Sequence, residues 1–182
     1  DYTGDPGLAV AVVKDGEIVF ADGFGWSDKE KRRRANEHTS YSIASISKPI
    51  TATAIQKLVA AGKLDVDQPA NTYLGKAKIK NRFGEDDAVT VRQLLNHTSG
   101  LGLHYQFYYG VDGYPVPDRD TTIDHYGITT RPPAESYYYC NLGYGILDYI
   151  IARQSDQTYA EYTQQHVFDA LAMEHSFIGL PA

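Results

Sequence analysis

Two short apolar runs near the start of the chain are separated by a polar turn. The runs cover residues 8–13 (LAVAVV) and 17–21 (EIVFA), and the turn covers residues 14–16 (KDG). An Asp-Gly turn between β-rich runs predicts a β-hairpin. Because the first run has no polar alternation, its strand is expected to be buried on both faces. Residues 27–38 are mostly polar and predict a charged connection after the hairpin.

A helical period follows the connection. Ile55, Leu58 and Val59 form one apolar stripe. The stripe predicts a helix that begins at or next to Ser45 and stops at Gly62, since glycine commonly ends a helix.

Three further helix starts are predicted downstream. Residues 90–93 and 158–161 have the spacing of capping boxes, and Asn141 can cap a helix that continues through apolar residues. Between residues 101 and 133 no period is visible, so a long loop is expected there. Its aromatic side chains either line a substrate cleft or pack on one another. They are Tyr105, Phe107, Tyr108, Tyr109 and Tyr114.

Composition narrows the class of protein. With 182 residues, 42% apolar and 22% charged, the chain suits one folded domain better than a disordered segment. The net charge is −6, and the dense basic run at residues 31–34 has acidic neighbours on both sides, so nucleic acid is not an expected partner. No apolar run approaches the roughly 18 residues of a membrane span. With one cysteine, no paired histidines and no glycine-rich phosphate loop, no metal or cofactor is implied.

The segment SISK at residues 45–48 holds the first candidate chemistry. Ser45 and Lys48 are three positions apart, so on a helix they share one face and the ammonium can reach the hydroxyl. A serine becomes a nucleophile when a neighbouring group takes its proton, and burial beside a helix N-terminus lowers a lysine pKa toward that task. The alternative is structural: Ser45 caps the helix and Lys48 is solvated.

A second polar pair stands before another predicted helix. In YYYCNLGYG, Tyr139 can relay a proton, and Asn141 offers a donor and an acceptor to a substrate amide. Cys140 between them is expected to be a small buried side chain and not a nucleophile. His97 could serve as a base for Ser99, but the helix-ending NHTSGL turn favours a structural role for the histidine.

These motifs, in this order, resemble the serine β-lactamase and penicillin-binding protein superfamily. The resemblance rests on SISK at 45–48, LLNHTSGL at 94–101 and YCN at 139–141. The flanking residues are closest to its class C β-lactamase-like branch, which includes β-lactamases, esterases and D-amino-acid peptidases. The resemblance implies an α/β (α+β) fold, with an antiparallel sheet flanked by helices and a mainly helical lobe.

The resemblance also implies a role for each site residue. Ser45 would be the acylated nucleophile, with Lys48 as its proton acceptor. Tyr139 would relay the proton to the leaving group, and Asn141 would bind the substrate amide. The first proton transfer is assigned to Lys48 and Tyr139 as a pair. The Ser45 backbone N–H would form half of the oxyanion hole.

One element of that superfamily is not found. This element is a Lys- or His-x-Gly strand that lies well after the Tyr-x-Asn motif. His125-Tyr126-Gly127 matches this pattern, but it precedes the Tyr-x-Asn motif and is predicted to lie in a loop, so we interpret the match as coincidence. Strands are expected only in the hairpin and in the short run into Ser45. Residues 1–182 are therefore expected to be a single incomplete domain, with the hairpin and lead-in at 1–44 and the nucleophile helix and helical lobe at 45–182. The missing strands are expected from a C-terminal remainder of the same polypeptide or from a complementing chain.

The resulting hypothesis is a serine hydrolase that acts on an amide or ester of a small molecule or peptide through an acyl-enzyme on Ser45. β-Lactams and D-amino-acid peptides are candidate substrates. The alternative is a penicillin-binding or sensor-type module that acylates without turnover, or a relative without catalysis. An α/β domain with accidental motifs is disfavoured by the two motifs and their matching flanks. The resemblance slightly favours a periplasmic or secreted location.

Overall fold

The chain folds into two compact units in a computed structural model that describes residues 6–102 and 116–179. Residues 1–44 form the first unit and residues 45–182 the second. The fold is mixed: a three-stranded antiparallel sheet lies in the first unit, and the α-helices lie in the second. This agrees with the predicted α+β class. That residues 1–182 make up one incomplete domain stays a prediction.

The predicted hairpin is confirmed. β1 (Gly7–Lys14) and β2 (Glu17–Asp28) pair antiparallel. The turn residues Asp15 and Gly16 have φ angles of 53° and 82°. Two successive positive φ angles are typical of a type I′ turn, whose twist matches that of the flanking strands and which Asp-Gly adopts with little strain. The turn therefore sets the register of the hairpin.

β2 is longer than the sequence predicted. It continues to Asp28 and pairs with a short third strand, β3 (Arg33–Arg34). The prediction of a charged connection over residues 27–38 is therefore wrong for residues 27–28 and 33–34, which lie in strands. Residues 39–43, the short run into Ser45, are not in a strand, so that prediction is also wrong.

The apolar side chains of the hairpin are exposed, with exposed fractions from 40% for Val10 to 68% for Ile18. The prediction that the first strand is buried on both faces is therefore wrong for this chain. Within residues 6–43 the structure has a single layer of strands, and one layer cannot cover its own faces. The exposed residues are Leu8, Val10, Val12, Val13, Ile18, Val19, Phe20 and Phe24.

A central helix organises the second unit. Five α-helices lie within its described residues. They are α1 (Ser47–Ala60), α2 (Val91–Leu95), α3 (Arg119–Tyr126), α4 (Asn141–Ser155) and α5 (Tyr159–Thr163). Each of the others packs against α4, which is why α4 contributes much of the core. The apolar side chains that it buries are Leu142, Ile146, Leu147, Ile150 and Ile151.

α1 follows the predicted stripe. Ile55 and Leu58 are fully buried, while Val59 lies at the edge of the core. The helix begins at Ser47, two residues after Ser45, and ends at Ala60. Gly62 then adopts a φ of 69°, as expected for a glycine that stops a helix.

Both predicted capping boxes are confirmed. In the first, the Thr90 hydroxyl accepts from the Gln93 N–H at 3.3 Å, and the Gln93 side chain accepts from the Thr90 N–H at 3.1 Å. In the second, Thr158 and Glu161 make the same reciprocal pair at 3.2 and 2.8 Å. These bonds satisfy backbone donors that a helix start otherwise leaves unpaired.

Replacing Thr158 with alanine is expected to lower the free energy of unfolding by about 1 kcal/mol, because the Glu161 N–H loses its acceptor at the exposed start of α5. Urea unfolding followed by circular dichroism measures the change. Thr158→Ser keeps the hydroxyl and is the matched control, expected to stay within about 0.5 kcal/mol of wild type. Equal stability of the two variants would contradict the assignment.

α3 lies where the sequence predicted a loop. Asp118 caps it, but Ile123 is its buried residue, so the helix has no apolar stripe that a sequence could reveal. Residues 125–127 (HYG) lie at its C-terminal end and not in a loop as predicted. The aromatic residues between Tyr105 and Tyr114 lie outside the described residues.

Candidate active site

Ser45 lies in a 3-10 turn (Ala44–Ile46) directly before α1. Ala44 has a φ of 44°, a left-handed conformation that costs a residue with a side chain on the order of 1 kcal/mol. Ile46 occupies the N-cap position of α1, and no side chain caps the helix there. The interpretation of Ser45 as a structural cap is therefore wrong, and its hydroxyl is free to contact other side chains.

Four side chains named by the sequence analysis meet at this turn. The hydroxyls of Ser45 and Tyr139 share a hydrogen bond of 2.6 Å, in which either oxygen can donate. The Lys48 ammonium donates to Ser45 Oγ at 3.1 Å and to Asn141 Oδ1 at 2.8 Å. Ser45 Oγ therefore contacts a phenol and an ammonium at once, and Lys48 bridges two motifs that are far apart in sequence.

Cys140 anchors the segment that carries Tyr139 and Asn141. It is the N-cap of α4: its sulfur accepts from the Gly143 N–H at 3.3 Å. The prediction that Asn141 caps this helix is therefore wrong. The Cys140 thiol also donates to the Gly102 carbonyl at 3.1 Å, and burial raises the pKa of this thiol. Because Cys140 caps the helix, the Asn141 amide does not have to, and it can bind other groups.

The surroundings of Tyr139 favour its ionised form. Hydrogen bonding with Lys48, and then with Ser45, lowers the Tyr139 pKa below its ordinary value. Lys48 Nζ also lies 4.7 Å from the centroid of the Tyr139 ring and 5.5 Å from that of Tyr144. A phenol with a lowered pKa that touches a serine hydroxyl is well placed to accept the hydroxyl proton.

Two further side chains, those of His97 and Tyr144, adjoin the site, and neither was among the predicted site residues. His97 Nδ1 accepts from the Cys140 N–H at 3.1 Å, and the His97 ring lies 4.5 Å from the Tyr139 ring. Tyr144 packs beside His97, with ring centroids 5.3 Å apart. Its position three residues after Asn141 on α4 was a usable signal, because such residues share a helix face. No sequence signal indicated the contacts of His97.

The alternative pair of His97 and Ser99 is not supported by the described residues. His97 directs Nδ1 to the Cys140 N–H, and the Ser99 hydroxyl accepts from the Leu101 N–H at 3.4 Å. The Ser99 hydroxyl therefore takes part in a local hydrogen bond of the turn after α2, and His97 joins this turn to the start of α4.

The described part of the chain offers neither a clustered metal site nor a membrane-spanning helix. Residues 6–102 and 116–179 contain no group of three His, Cys, Asp or Glu side chains that could hold a metal ion. None of the helices in these ranges is long and apolar enough to cross a membrane.

Comparisons with known proteins all point to β-lactamases and penicillin-binding proteins. The family model described as Beta-lactamase matches residues 2–182. The chain is 34% identical over 165 residues, 91% of its length, to "Putative penicillin-binding protein PbpX" of Bacillus subtilis (strain 168). Among solved structures, the octameric penicillin-binding protein homologue from Pyrococcus abyssi has a TM-score of 0.77 at 31% identity over 92% of this chain. A class C beta-lactamase has a TM-score of 0.78 at 25% identity over 100% of it.

These relatives are longer than the chain. It covers 39% of the Bacillus protein, 39% of the Pyrococcus chain and 48% of the class C beta-lactamase chain. The likeness therefore concerns less than half of each relative.

Proposed function

The chain belongs to the Beta-lactamase family, whose members include serine hydrolases, and on that premise we propose that it hydrolyses an amide or ester through a covalent acyl-enzyme on Ser45. The observation that supports this most directly is the pair of hydrogen bonds at Ser45 Oγ. One joins it to the Tyr139 hydroxyl at 2.6 Å, and the other comes from Lys48 at 3.1 Å. A serine in contact with two groups that can carry a proton is what nucleophilic catalysis requires.

The proposed acylation step uses the hydroxyl and both neighbours. Ser45 Oγ attacks the substrate carbonyl carbon, a C–O bond forms, and the hydroxyl proton passes to the Lys48–Tyr139 pair. Backbone N–H groups stabilise the negative charge on the carbonyl oxygen, and the Ser45 N–H is proposed as one of them. The bond to the leaving amine or alcohol then breaks as that group takes the proton through Tyr139. Water attacks the Ser45 ester, which releases the acid and returns the proton to Oγ.

Asn141 is the proposed ligand of the substrate amide. Its Oδ1 accepts from Lys48, so its NH₂ group is the half that can donate to a substrate carbonyl. The proposed substrates are small molecules or peptides with an amide or ester next to such a carbonyl. β-Lactams and D-amino-acid peptides are candidates of this kind.

A second candidate function is a penicillin-binding or sensor-type module that is acylated and does not turn over. The relatives at 34% and 31% identity favour it, because their names describe a penicillin-binding protein and a homologue of one. Both candidates share acylation on Ser45 and differ in the lifetime of the acyl-enzyme. A relative that keeps the fold without catalysis would form no adduct at all.

We also propose that the hairpin packs against a C-terminal remainder of the same polypeptide or against a complementing chain. Eight exposed apolar side chains of β1 and β2 support this, because a small sheet gains stability when its apolar faces are covered. A stable, monomeric 182-residue product with the full activity would contradict this proposal.

Intact mass spectrometry tests the proposed function. The 182-residue chain and the product of the complete reading frame are incubated with a fluorophosphonate ester and with a penicillin. One adduct per chain is expected. The fluorophosphonate adduct is expected to persist in both cases, because a serine phosphonate ester resists the hydrolysis that releases an acyl group. A penicillin adduct that decays indicates a hydrolase, and a penicillin adduct that persists indicates the penicillin-binding alternative. Absence of any adduct on the complete product would contradict both.

Tyr139→Phe is expected to slow acylation by about 10²- to 10⁴-fold and to change its pH profile. In the wild type, the lowered pKa of Tyr139 makes phenolate at a lower pH than usual, so the rate should rise with pH and level off below pH 10.0. Phenylalanine cannot ionise, and this inflection should be lost. Time courses of adduct formation at a series of pH values measure both effects.

Tyr138→Phe is the matched control for this experiment. Its ring packs on the Arg131 guanidinium, 3.5 Å from ring centroid to Cζ, so loss of its hydroxyl should leave the rate and the profile unchanged. A Tyr139→Phe variant that keeps the wild-type rate and inflection would show that the phenol takes no part.

A further inference from the structure

His97 holds the segment that carries Tyr139 by three contacts. Its Nδ1 accepts from the Cys140 N–H at 3.1 Å, and its carbonyl accepts from the Tyr138 N–H at 2.8 Å. Its ring lies against the Tyr139 ring, with centroids 4.5 Å apart. The backbone donors on both sides of Tyr139 are therefore fixed by one residue.

His97 is itself held firmly. It has a φ of 62°, which is uncommon for a residue with a side chain, and only 9% of its surface is exposed. The next residue is tied on both sides: the Thr98 N–H donates to the Gln93 carbonyl at 2.9 Å, and the Thr98 carbonyl accepts from the Ala134 N–H at 2.9 Å. The surrounding backbone therefore fixes the position of the His97 imidazole.

The contact with Cys140 depends on the proton state of the imidazole. A neutral imidazole has one acceptor nitrogen, whereas both nitrogens of an imidazolium are donors. Nδ1 can therefore accept from the Cys140 N–H only while His97 is neutral. Burial, and then the nearby charge of Lys48, lower the His97 pKa below its ordinary value of 6.5, so the neutral form dominates near neutral pH.

We propose that neutral His97 is a positioning residue for Tyr139, and that its protonation releases the Tyr139 segment and slows acylation of Ser45. The proposal rests on the proposed function, since it concerns how the phenol is held against the serine. The titratable groups that face His97 come from α1, from the segment before α4 and from α4. They are Lys48, Tyr137, Tyr139, Cys140 and Tyr144. A positive charge on His97 also repels the Lys48 ammonium. In acid, protonation of His97 therefore disturbs the site in two ways, by releasing the Tyr139 segment and by repelling Lys48.

The slope of the pH profile tests the proposal. When the Lys48–Tyr139 pair alone must lose a proton, the rate constant for reaction with a fluorophosphonate ester falls about tenfold per pH unit on the acid side. Below the His97 pKa a second protonation is added, and the wild type should fall about a hundredfold per unit. The measurement covers the range from about pH 8 down to about pH 5, in which histidine titrates.

His97→Asn is the decisive variant. Asparagine tolerates the left-handed backbone and keeps an acceptor oxygen that does not titrate. It should acylate within about threefold of the wild-type rate near neutral pH and retain the tenfold slope throughout. His97→Ala, which has no acceptor, should be slower than His97→Asn by about 10- to 100-fold at every pH.

His38→Asn is the matched control, because His38 is an exposed histidine of the first unit. It should keep the steeper wild-type profile. If His97→Asn also keeps the steeper slope, or if the wild type shows no steepening, the proposal is wrong.

A second measurement requires neither a variant nor activity. In ¹H–¹⁵N NMR spectra of the complete product, the Cys140 amide should shift with the same midpoint as the His97 imidazole, below 6.5. A Cys140 amide that does not respond to the His97 titration would overturn the proposal. If the wild type forms no adduct at any pH, the proposed function fails instead, and the NMR titration still decides whether His97 holds this segment.

Discussion

Replacing Ser45 with alanine is expected to abolish adduct formation with both the fluorophosphonate ester and the penicillin. The loss in rate should be on the order of 10⁶-fold, as when a serine hydrolase loses its nucleophile. The physical reason is direct: Oγ is the atom that Tyr139 contacts at 2.6 Å and Lys48 at 3.1 Å, and a methyl group has no lone pair with which to attack a carbonyl. Intact mass before and after incubation measures the result.

The fold should survive this substitution. Ser45 is exposed and caps no helix, so its replacement should change the free energy of unfolding by no more than about 0.5 kcal/mol. Ser47→Ala, two residues further on, is the matched control and should be labelled at the wild-type rate. A folded Ser45→Ala variant that still forms the adduct would show that another residue is acylated.

Replacing Lys48 with methionine is expected to lower the acylation rate by about 10²- to 10⁴-fold. Methionine keeps most of the side-chain length but removes the hydrogen bonds to Ser45 at 3.1 Å and to Asn141 at 2.8 Å. It also removes the largest cause of the lowered Tyr139 pKa. The inflection of the pH profile should therefore move to higher pH as the rate falls, and time courses of adduct formation across pH measure both changes.

Lys57→Met is the matched control, since Lys57 is an exposed lysine in the last turn of the same helix. It should leave the rate and the inflection unchanged. If Lys48→Met lowers the rate no more than Lys57→Met does, then Lys48 does not take part in the proton transfer.

The parts of the fold that the sequence predicted well are those decided by nearby residues. The Asp15-Gly16 turn and the capping boxes at 90–93 and 158–161 each depend on backbone preferences and side-chain acceptors within a few positions. The apolar stripe of α1 belongs to the same class. The residues that determine these features are close together in the sequence, so tertiary packing did not change them.

The wrong predictions concern residues whose burial or secondary structure depends on neighbours that are distant in the sequence. β1 has the composition of a buried strand, but its exposure depends on whether a second layer covers it. α3 is begun by the cap of Asp118 and buries Ile123, so no periodic stripe was visible. Propensity favours Asn141 over Cys140 as an N-cap, but the fold places Cys140 at the cap, where its buried thiol also donates to the Gly102 carbonyl.

For the candidate site, too, the residues within each motif could be predicted from the sequence, but the contacts between the motifs could not. The sequence named Ser45, Lys48, Tyr139 and Asn141 from two motifs, but the spacing within each motif says nothing about the distance between them. The bond from Lys48 to Asn141 joins residues 93 positions apart and could be found only in the folded chain. His97 was assigned to a turn, because its contact with the Cys140 N–H likewise arises only on folding.

The separation of 94 residues between Ser45 and Tyr139 also has a consequence during protein synthesis. At about 5–20 residues per second, a ribosome needs roughly 5–20 s to extend the chain from the serine to the tyrosine. During that interval the nascent serine has no phenol beside it, and Lys48 has no amide to hold it. On the proposed mechanism, the growing chain is therefore inert toward electrophiles until its second motif has emerged and docked.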